Sequence, residues 1–179
     1  MNDQEKPIKR NNIGVIDYDR LAGIYDALYG VEQTGKYSLL RALRPLLGTV
    51  LDIGCGTALI TEYLTFEYYV GVDVSAAMLR VAKDRVPNNT DLVRCDARLM
   101  PFRDECFDTT VSVTVLHEVP EAVGEVVRVT KGELIITVFR RFKCAIESIL
   151  GNLRGLEIKV LDDYSIKDVI IICRARREA

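Results

Sequence analysis

Short runs rich in β-branched residues recur along this chain, and segments with helix signals separate them. The runs lie at residues 49–53, 68–74, 91–95, 108–115 and 133–139. Strands that alternate with helices over connections this short run parallel and are joined by right-handed crossovers. The sequence therefore predicts an α/β fold with a doubly wound, mostly parallel, Rossmann-like sheet. Ligands of such folds bind at the carboxyl ends of the strands.

Helix signals fill the gaps between the runs, and after residue 139 the pattern changes. Helices are predicted at 34–44, 57–66 and 143–153, and Pro45 ends the first of them. A further helix should begin after the cap Ser75 and stop near Pro87, and another should run from Pro120 to just before Gly132. Two further strand-like runs, 156–161 and 167–174, have only a short loop between them. A loop of that length favours a hairpin, so the sheet should end in a C-terminal antiparallel hairpin.

Composition bounds the class of protein. The 179 residues, 49% of them apolar, suffice for one core. We expect a polar, disordered leader at 1–12 and a single domain at 13–179. No apolar run reaches the roughly 18 residues of a membrane span, and the leader has no signal-peptide core, so a cytoplasmic protein without a membrane role is expected. Five scattered cysteines without a CxxC pair argue against disulfides and a metal site.

The two parts of the chain differ in charge. Residues 1–127 hold 13 basic and 19 acidic side chains, whereas residues 128–179 hold 11 and 7. Such a basic surplus usually forms a solvated face, and less often it steers an anionic partner such as RNA.

A glycine loop follows the first predicted strand. Asp52 and Ile53 lead into Gly54-Cys55-Gly56 and then into a helix signal, a context in which the backbone can pass close to a ligand. The second strand ends in Asp73 about 20 residues later, where a carboxylate can accept hydrogen bonds from both hydroxyls of a ribose. A nicotinamide or flavin site would need a glycine where the chain has Leu59. In a purely structural alternative the glycines form a tight turn and Asp73 caps the next helix.

The third strand should end at Asp96-Ala97, whose carboxylate could accept a hydrogen bond from an exocyclic amine. Together, the segment 52–57, Asp73 and Asp96-Ala97 resemble the class I S-adenosylmethionine-dependent methyltransferases, in particular small ones related to quinone-biosynthesis and tRNA-wobble methyltransferases. The resemblance covers roughly residues 18–139. It departs from the family at Ala58, where a third glycine is usual. We expect that departure to cost little, because the first two glycines make the tight approach.

The resemblance implies S-adenosylmethionine as cofactor and assigns its contacts. The glycine loop would lie along the methionine part, Asp73 would hold the ribose, and Asp96-Ala97 would meet the adenine. Tyr18 and Tyr25 would belong to an N-terminal lid that closes over the cofactor. The residues expected to bind the cofactor are Tyr18, Tyr25, Asp52, Gly54, Cys55, Gly56, Asp73, Val74, Met78, Asp96, Ala97 and Val113.

Methyl transfer from a sulfonium requires alignment, and it needs acid or base help only if the acceptor must lose a proton. His117 is the only histidine and follows the fourth strand, so it is the candidate base, with a capping or packing role as the alternative. Glu118 and Glu121 more readily complement a helix N-terminus. Cys144 and Cys173 could hold a thiol-bound metalloid but are more readily core residues.

The function is left open among three possibilities. In the first, an enzyme methylates a small molecule, which is slightly favoured as acceptor. The Asn/Asp-Pro-Pro-Tyr/Phe motif of many methyltransferases of amide and exocyclic base nitrogens is replaced by Ser-Val-Thr-Val at 112–115, which argues against an adenine-N6 or glutamine methyltransferase. The second is RNA or the ribosome, reached with the small zinc-binding activator protein that several family members share. The third is a non-catalytic partner subunit that has kept the fold.

Overall fold

A computed structural model describes residues 17–43 and 45–174 of the chain. Seven strands form one sheet in the order β3-β2-β1-β4-β5-β7-β6. The strands are β1 Thr49–Ile53, β2 Tyr68–Asp73, β3 Thr90–Arg94, β4 Phe107–Val113, β5 Thr130–Phe139, β6 Glu157–Leu161 and β7 Asp168–Arg174. The helices are α1 Tyr18–Leu21, α2 Tyr25–Leu43, α3 Ala76–Lys83, α4 Val123–Val129 and α5 Lys143–Asn152, with 3₁₀ turns at Leu59–Glu62 and Pro120–Ala122.

The sheet confirms the doubly wound fold and its C-terminal hairpin. Strands β1 to β5 pair in parallel, whereas β7 runs antiparallel to both β5 and β6. The strand order reverses between β1 and its neighbour β4, and this reversal opens a crevice beyond the carboxyl ends of the strands.

Both faces of the sheet are covered, as the alternation of side chains along a strand requires. Val50 belongs to the apolar cluster on one face, together with Tyr37 and Leu40 of α2. Its neighbour Leu51 belongs to the opposite cluster, which includes Val126 of α4 and Ile149 of α5. The first turn of α2 is thereby carried to the crevice while its later turns pack against the sheet.

Three helix boundaries differ from the sequence predictions. The segment 57–66 forms only the 3₁₀ turn Leu59–Glu62, because Ala58 takes a left-handed conformation with φ 54° that no α-helix can contain. Helix α2 begins at Tyr25 rather than at residue 34, since the glycines that weaken its signal are tolerated in a helix packed on the core. Helix α4 ends at Val129, because Thr130 already pairs with Phe107 in the sheet.

The structure bears only in part on the expectations for the leader, the domain, the membrane and the cysteines. The leader at 1–12 lies outside the described residues, and the single domain at 13–179 stays a prediction. No described helix is long and apolar enough to cross a membrane. All five cysteines are free thiols, and the described residues contain no group of three candidate metal ligands.

Candidate functional site

A cavity of about 310 Å³ lies in the crevice at the carboxyl ends of β1 to β4. Its walls come from the loop after β1, from Asp73 and Val74 at β2, from Asp96 at β3 and from Val113 at β4. The volume falls at the lower end of the range of small-molecule sites, roughly 300 to 1,000 Å³. Such a site can enclose one ligand of nucleoside size.

The two glycines of the loop are needed for different reasons. Both have positive φ, 67° at Gly54 and 55° at Gly56. A Cβ at Gly54 would stand 2.5 Å from Cγ2 of Val115, whereas a Cβ at Gly56 would meet no atom within 4 Å. Gly54 therefore permits packing of the loop against Val115, and Gly56 leaves open space in the cavity wall.

Asp73 lies beside that loop, with backbone groups on both carboxylate oxygens. Oδ2 accepts a hydrogen bond from the Gly56 amide at 2.9 Å, and Oδ1 accepts one from the Ser75 amide at 2.8 Å. Burial nevertheless raises the pKa of Asp73. A carboxylate has about four acceptor positions, so Asp73 keeps acceptor capacity for a ligand hydroxyl beside its backbone partners.

The β3 side of the cavity offers one apolar surface and one carboxylate that already has a partner. Val74 is 56% exposed, which is unusual for a valine at the end of a buried strand. Asp96 accepts hydrogen bonds from the Arg98 guanidinium at 2.6 and 3.0 Å, and these lower its pKa to about 2. Asp96 stays ionised, but the Arg98 guanidinium and backbone amide together occupy both of its oxygens. Val74 can contact a flat ring.

Asp52 is buried deep in the site. Oδ2 accepts a hydrogen bond from the Tyr69 hydroxyl at 2.6 Å. Burial raises the pKa of Asp52 to about 7, and the tyrosine only partly offsets this rise. The carboxyl group therefore changes charge close to neutral pH.

Polar contacts hold α1 and α2 over the cavity as a lid. The Tyr18 hydroxyl donates to Oε1 of Glu118 at 2.8 Å, and Oδ1 of Asp19 accepts from the Ser75 hydroxyl at 2.6 Å. On α2, Asp26 accepts from the Thr57 hydroxyl at 2.6 Å and also pairs with the Arg85 guanidinium. These contacts join the lid to three different loops around the cavity.

A buried ion network lies at the β4 end of the cavity. Lys36 of α2 is fully buried, and its Nζ lies 2.7 Å from the Thr114 hydroxyl and 3.2 Å from a carboxylate oxygen of Asp168. The Thr137 hydroxyl donates to the other Asp168 oxygen at 2.8 Å. Thr114 itself lines the cavity with a left-handed backbone, φ 61°. The network thus fixes the wall of the cavity beside β4.

The structure brings the twelve residues expected to bind a cofactor together around this one cavity, and their individual roles stay predictions. They are Tyr18, Tyr25, Asp52, Gly54, Cys55, Gly56, Asp73, Val74, Met78, Asp96, Ala97 and Val113.

His117, the candidate base, does not line this cavity. Its ring stacks on Phe142 at 4.6 Å and meets Phe139 edge-on, and its side chain is 9% exposed. Burial lowers its pKa, and Nδ1 has no hydrogen-bond partner among the described residues. This position is closer to the packing role named as the alternative. The role of His117 as a general base stays a prediction.

Sequence reasoning missed the cavity residues Gln33, Tyr37 and Thr114. The first two stand one helical turn apart on the buried side of α2. The four-residue spacing of Tyr25, Tyr29, Gln33 and Tyr37 is a signal for this face, but the interrupting glycines concealed the helix. Thr114 depends on a turn conformation that no sequence pattern indicates.

Comparison with known proteins supports one family. Residues 51–136 match the family described as methyltransferase domain. The 18S rRNA (guanine-N(7))-methyltransferase of Bos taurus is 41% identical over 70 residues, which are 38% of this chain and 25% of that protein. The phosphatidylethanolamine N-methyltransferase of Cereibacter sphaeroides is 34% identical over 131 residues, 66% of this chain and 64% of that protein. The chain thus spans a quarter of the first relative and about two thirds of the second.

Solved structures support the same fold. One comes from a complex between the Haloferax volcanii Trm112 methyltransferase activator and a candidate methyltransferase. It has a TM-score of 0.70 and 14% identity over 90% of this chain and 98% of that one. At such identity the likeness concerns the fold alone. Residues 51–136 therefore form a methyltransferase domain, and the described residues have the fold of S-adenosylmethionine-dependent methyltransferases of known structure.

Proposed function

We propose that the chain transfers a methyl group from S-adenosylmethionine to a small-molecule acceptor. The observation that carries this proposal is the single cavity that joins the glycine loop, Asp73 and the end of β3 under the α1–α2 lid. The bound cofactor would supply an electrophilic methyl group on a sulfonium. The open space at Gly56 and the exposed surface of Val74 fit a nucleoside in this cavity.

Each wall of the cavity has a binding task. The free lone pairs of Asp73 would accept hydrogen bonds from the ribose hydroxyls, and Val74 and Ala97 would contact the adenine. Tyr18 and Tyr25 of the lid would cover the ligand and exclude water. Because methyl transfer depends mainly on alignment, a site that only positions its ligands is sufficient for catalysis.

The acceptor side of the cavity favours a small molecule over a polyanion. Glu118 and Glu121 line the cavity, and Glu118 is tied to Tyr18 of the lid. Carboxylates at this position repel a phosphate backbone. An uncharged or cationic small molecule meets no such barrier.

RNA is the second candidate acceptor, and the basic residues after β5 favour it. Arg140 and Arg141 follow Phe139 at the same edge of the sheet as the cavity, although Arg140 is paired with Asp162. The matched Bos taurus protein is named as an rRNA methyltransferase, and one structural neighbour is assembled with a methyltransferase activator. In this alternative, the chain would methylate RNA together with a comparable activator protein.

The expected cytoplasmic location stays a prediction.

Calorimetric titration with S-adenosylmethionine and S-adenosylhomocysteine tests the proposed cofactor. We expect micromolar binding that Asp73→Ala weakens at least about tenfold, since a hydrogen bond to a charged group contributes roughly 1.5 to 3 kcal/mol. Asp84→Ala is the matched control, because Asp84 is an exposed aspartate outside the cavity wall. Equal binding by wild type and Asp73→Ala, or no binding of either ligand, would contradict the proposal.

Transfer of a labelled methyl group then separates the acceptors. We expect label in small-molecule extracts and none in RNA. Label in RNA that falls steeply with added salt and requires an activator protein would support the second candidate instead. Cofactor binding without transfer to either pool would favour a non-catalytic subunit.

A further inference from the structure

Gln33 of α2 has a buried acceptor atom with no partner. Its side chain lines the cavity, the residue is 7% exposed, and Oε1 makes no hydrogen bond. Among the described residues that line the cavity, no other side chain has a buried polar atom without a hydrogen-bond partner. An unpaired buried amide oxygen is destabilising, and folded proteins rarely tolerate one. The oxygen is therefore placed for a ligand group that donates a hydrogen bond.

The position of Gln33 identifies the end of the cavity that it serves. Lys36, on the next turn of α2, contacts Thr114 directly after β4 at 2.7 Å. Asp96-Ala97 lies at the end of β3, and β2 and β1 stand between β3 and β4 in the sheet. Gln33 therefore lies toward the β4 end, far from the wall assigned to the base, with the ribose partner Asp73 between them.

The part of the cofactor that remains for this end is its amino-acid tail. That tail carries an α-carboxylate, which only accepts hydrogen bonds, and an α-ammonium, which only donates them. Burial raises the pKa of Tyr25 to about 12, and a side-chain hydrogen bond from Gln33 opposes the rise, as expected if the amide nitrogen faces Tyr25. This arrangement leaves the amide oxygen for the cavity.

We propose that Oε1 of Gln33 accepts a hydrogen bond from the α-ammonium of the bound cofactor, which makes α2 a direct ligand-binding element as well as a cover. This inference rests on the proposed function. It concerns a contact that neither the glycine loop nor the aspartates provide. Because Gln33 selects the amino group, its contribution depends on which part of the tail a ligand retains.

Three ligands and one substitution test the contact by calorimetry. The ligands are S-adenosylhomocysteine, its analogue without the α-amino group, and its analogue without the α-carboxylate. We expect Gln33→Met to weaken the two amine-containing ligands about tenfold and to leave the deamino analogue unchanged, since a hydrogen bond to a charged group has that magnitude. Arg41→Met, an exposed substitution on the same helix, should change none of the three affinities.

The melting temperature of the unliganded variants provides a second measurement. Gln33→Met removes both the unpaired buried oxygen and the amide nitrogen that faces Tyr25. These two losses act in opposite directions, so we expect a melting temperature close to that of wild type without ligand. A purely structural role for Gln33 would instead lower its melting temperature.

Several results would overturn the inference alone. They are equal weakening of all three ligands by Gln33→Met, an unchanged affinity for the decarboxylated analogue, and a less stable unliganded variant. Failure of wild type to bind any of the three ligands would instead overturn the proposed function, and this inference with it.

Discussion

At the scale of single residues, two glycines that look equivalent in the sequence have different tasks. Gly54 packs against Val115, whereas Gly56 borders open space in the cavity. Ala58 adopts φ 54° in the same loop, so this backbone accommodates an alanine at nearly the φ of Gly56. Substitutions at Gly54 and at Gly56 should therefore affect different properties, the stability of the fold at Gly54 and ligand binding at Gly56.

We expect Gly56→Ala to fold with a loss of only about 1 to 2 kcal/mol, the cost of a left-handed alanine. Its methyl group should weaken S-adenosylhomocysteine binding, because it projects into space that the ligand would use. Gly54→Ala should destabilise the protein more, since the same strain is joined by a 2.5 Å contact with Val115. Urea unfolding and calorimetry measure the two effects, and equal stability of the two variants would contradict this explanation.

Most of the residues that the sequence predicts at the site lie at strand ends, where the direction of the chain fixes their position. Asp73 and Asp96 belong to this class, and both line the cavity. Gln33 does not, because its position depends on the length of α2. Thr114 follows β4, but it lines the cavity in a left-handed turn that the sequence does not indicate. His117 also follows a strand but does not line the cavity, because a place after a strand does not determine the direction of a side chain, and its role as a base stays a prediction.

At the scale of elements, α2 is attached to the sheet by the network around Lys36. A fully buried ammonium faces Asp168, which is also fully buried, and the two residues belong to elements far apart in the sequence. Burying two charges is costly, so the pair is stable only while both partners remain. The network therefore holds the lid helix in one position relative to β4 and β7.

We expect Lys36→Met to lower the free energy of unfolding by about 3 to 5 kcal/mol, because it leaves the Asp168 carboxylate buried without its cation. Asp168→Asn should have a smaller effect, because the Lys36 ammonium keeps its ion pair with Glu32 at 3.2 Å. The double variant Lys36→Met/Asp168→Asn should lose less than the sum of the two, since neither charge is then left alone. Urea unfolding of the four proteins gives the coupling, and strictly additive losses would show that the two residues act independently.

Element boundaries were predictable where one periodicity dominates. The run 49–53 coincides with β1, and the two C-terminal runs pair as the expected hairpin. The 57–66 prediction was wrong because an apolar spacing of three or four residues does not distinguish an α-helix from a single 3₁₀ turn. Packing and backbone conformation decided that segment.

At the scale of the whole molecule, the fold could be predicted because each local signal agreed with the same topology. The burial of charged side chains could not be predicted from the sequence, because it arises only when the sheet and the lid enclose groups that are distant in the sequence. Asp52 illustrates this: its burial depends on Tyr69 of the neighbouring strand and on the lid helix above.

This burial predicts how stability depends on pH. Burial raises the pKa of Asp52 from 3.8 to about 7, so the folded state holds a proton that the unfolded state has released across that interval. The unfolded state therefore binds fewer protons, and the free energy of unfolding contributed by Asp52 falls as the pH rises from about 4 to about 7. Asp73 acts in the same direction. The lowered pKa of Asp96 acts in the opposite direction, because its contribution to stability is fully present above about pH 4 and is lost as the pH falls toward 2.

Asp52→Asn removes this titration while keeping the shape of the side chain. Relative to wild type, the variant should gain stability steadily between about pH 4 and pH 7, by a few kcal/mol in total, and remain level above that range. Urea unfolding of both proteins at pH 4.5, 6 and 8 measures the difference, with Asp84→Asn as an exposed control. A difference that does not change with pH would mean that Asp52 is already ionised at pH 4.5, and that the buried site tolerates its charge through the Tyr69 hydroxyl alone.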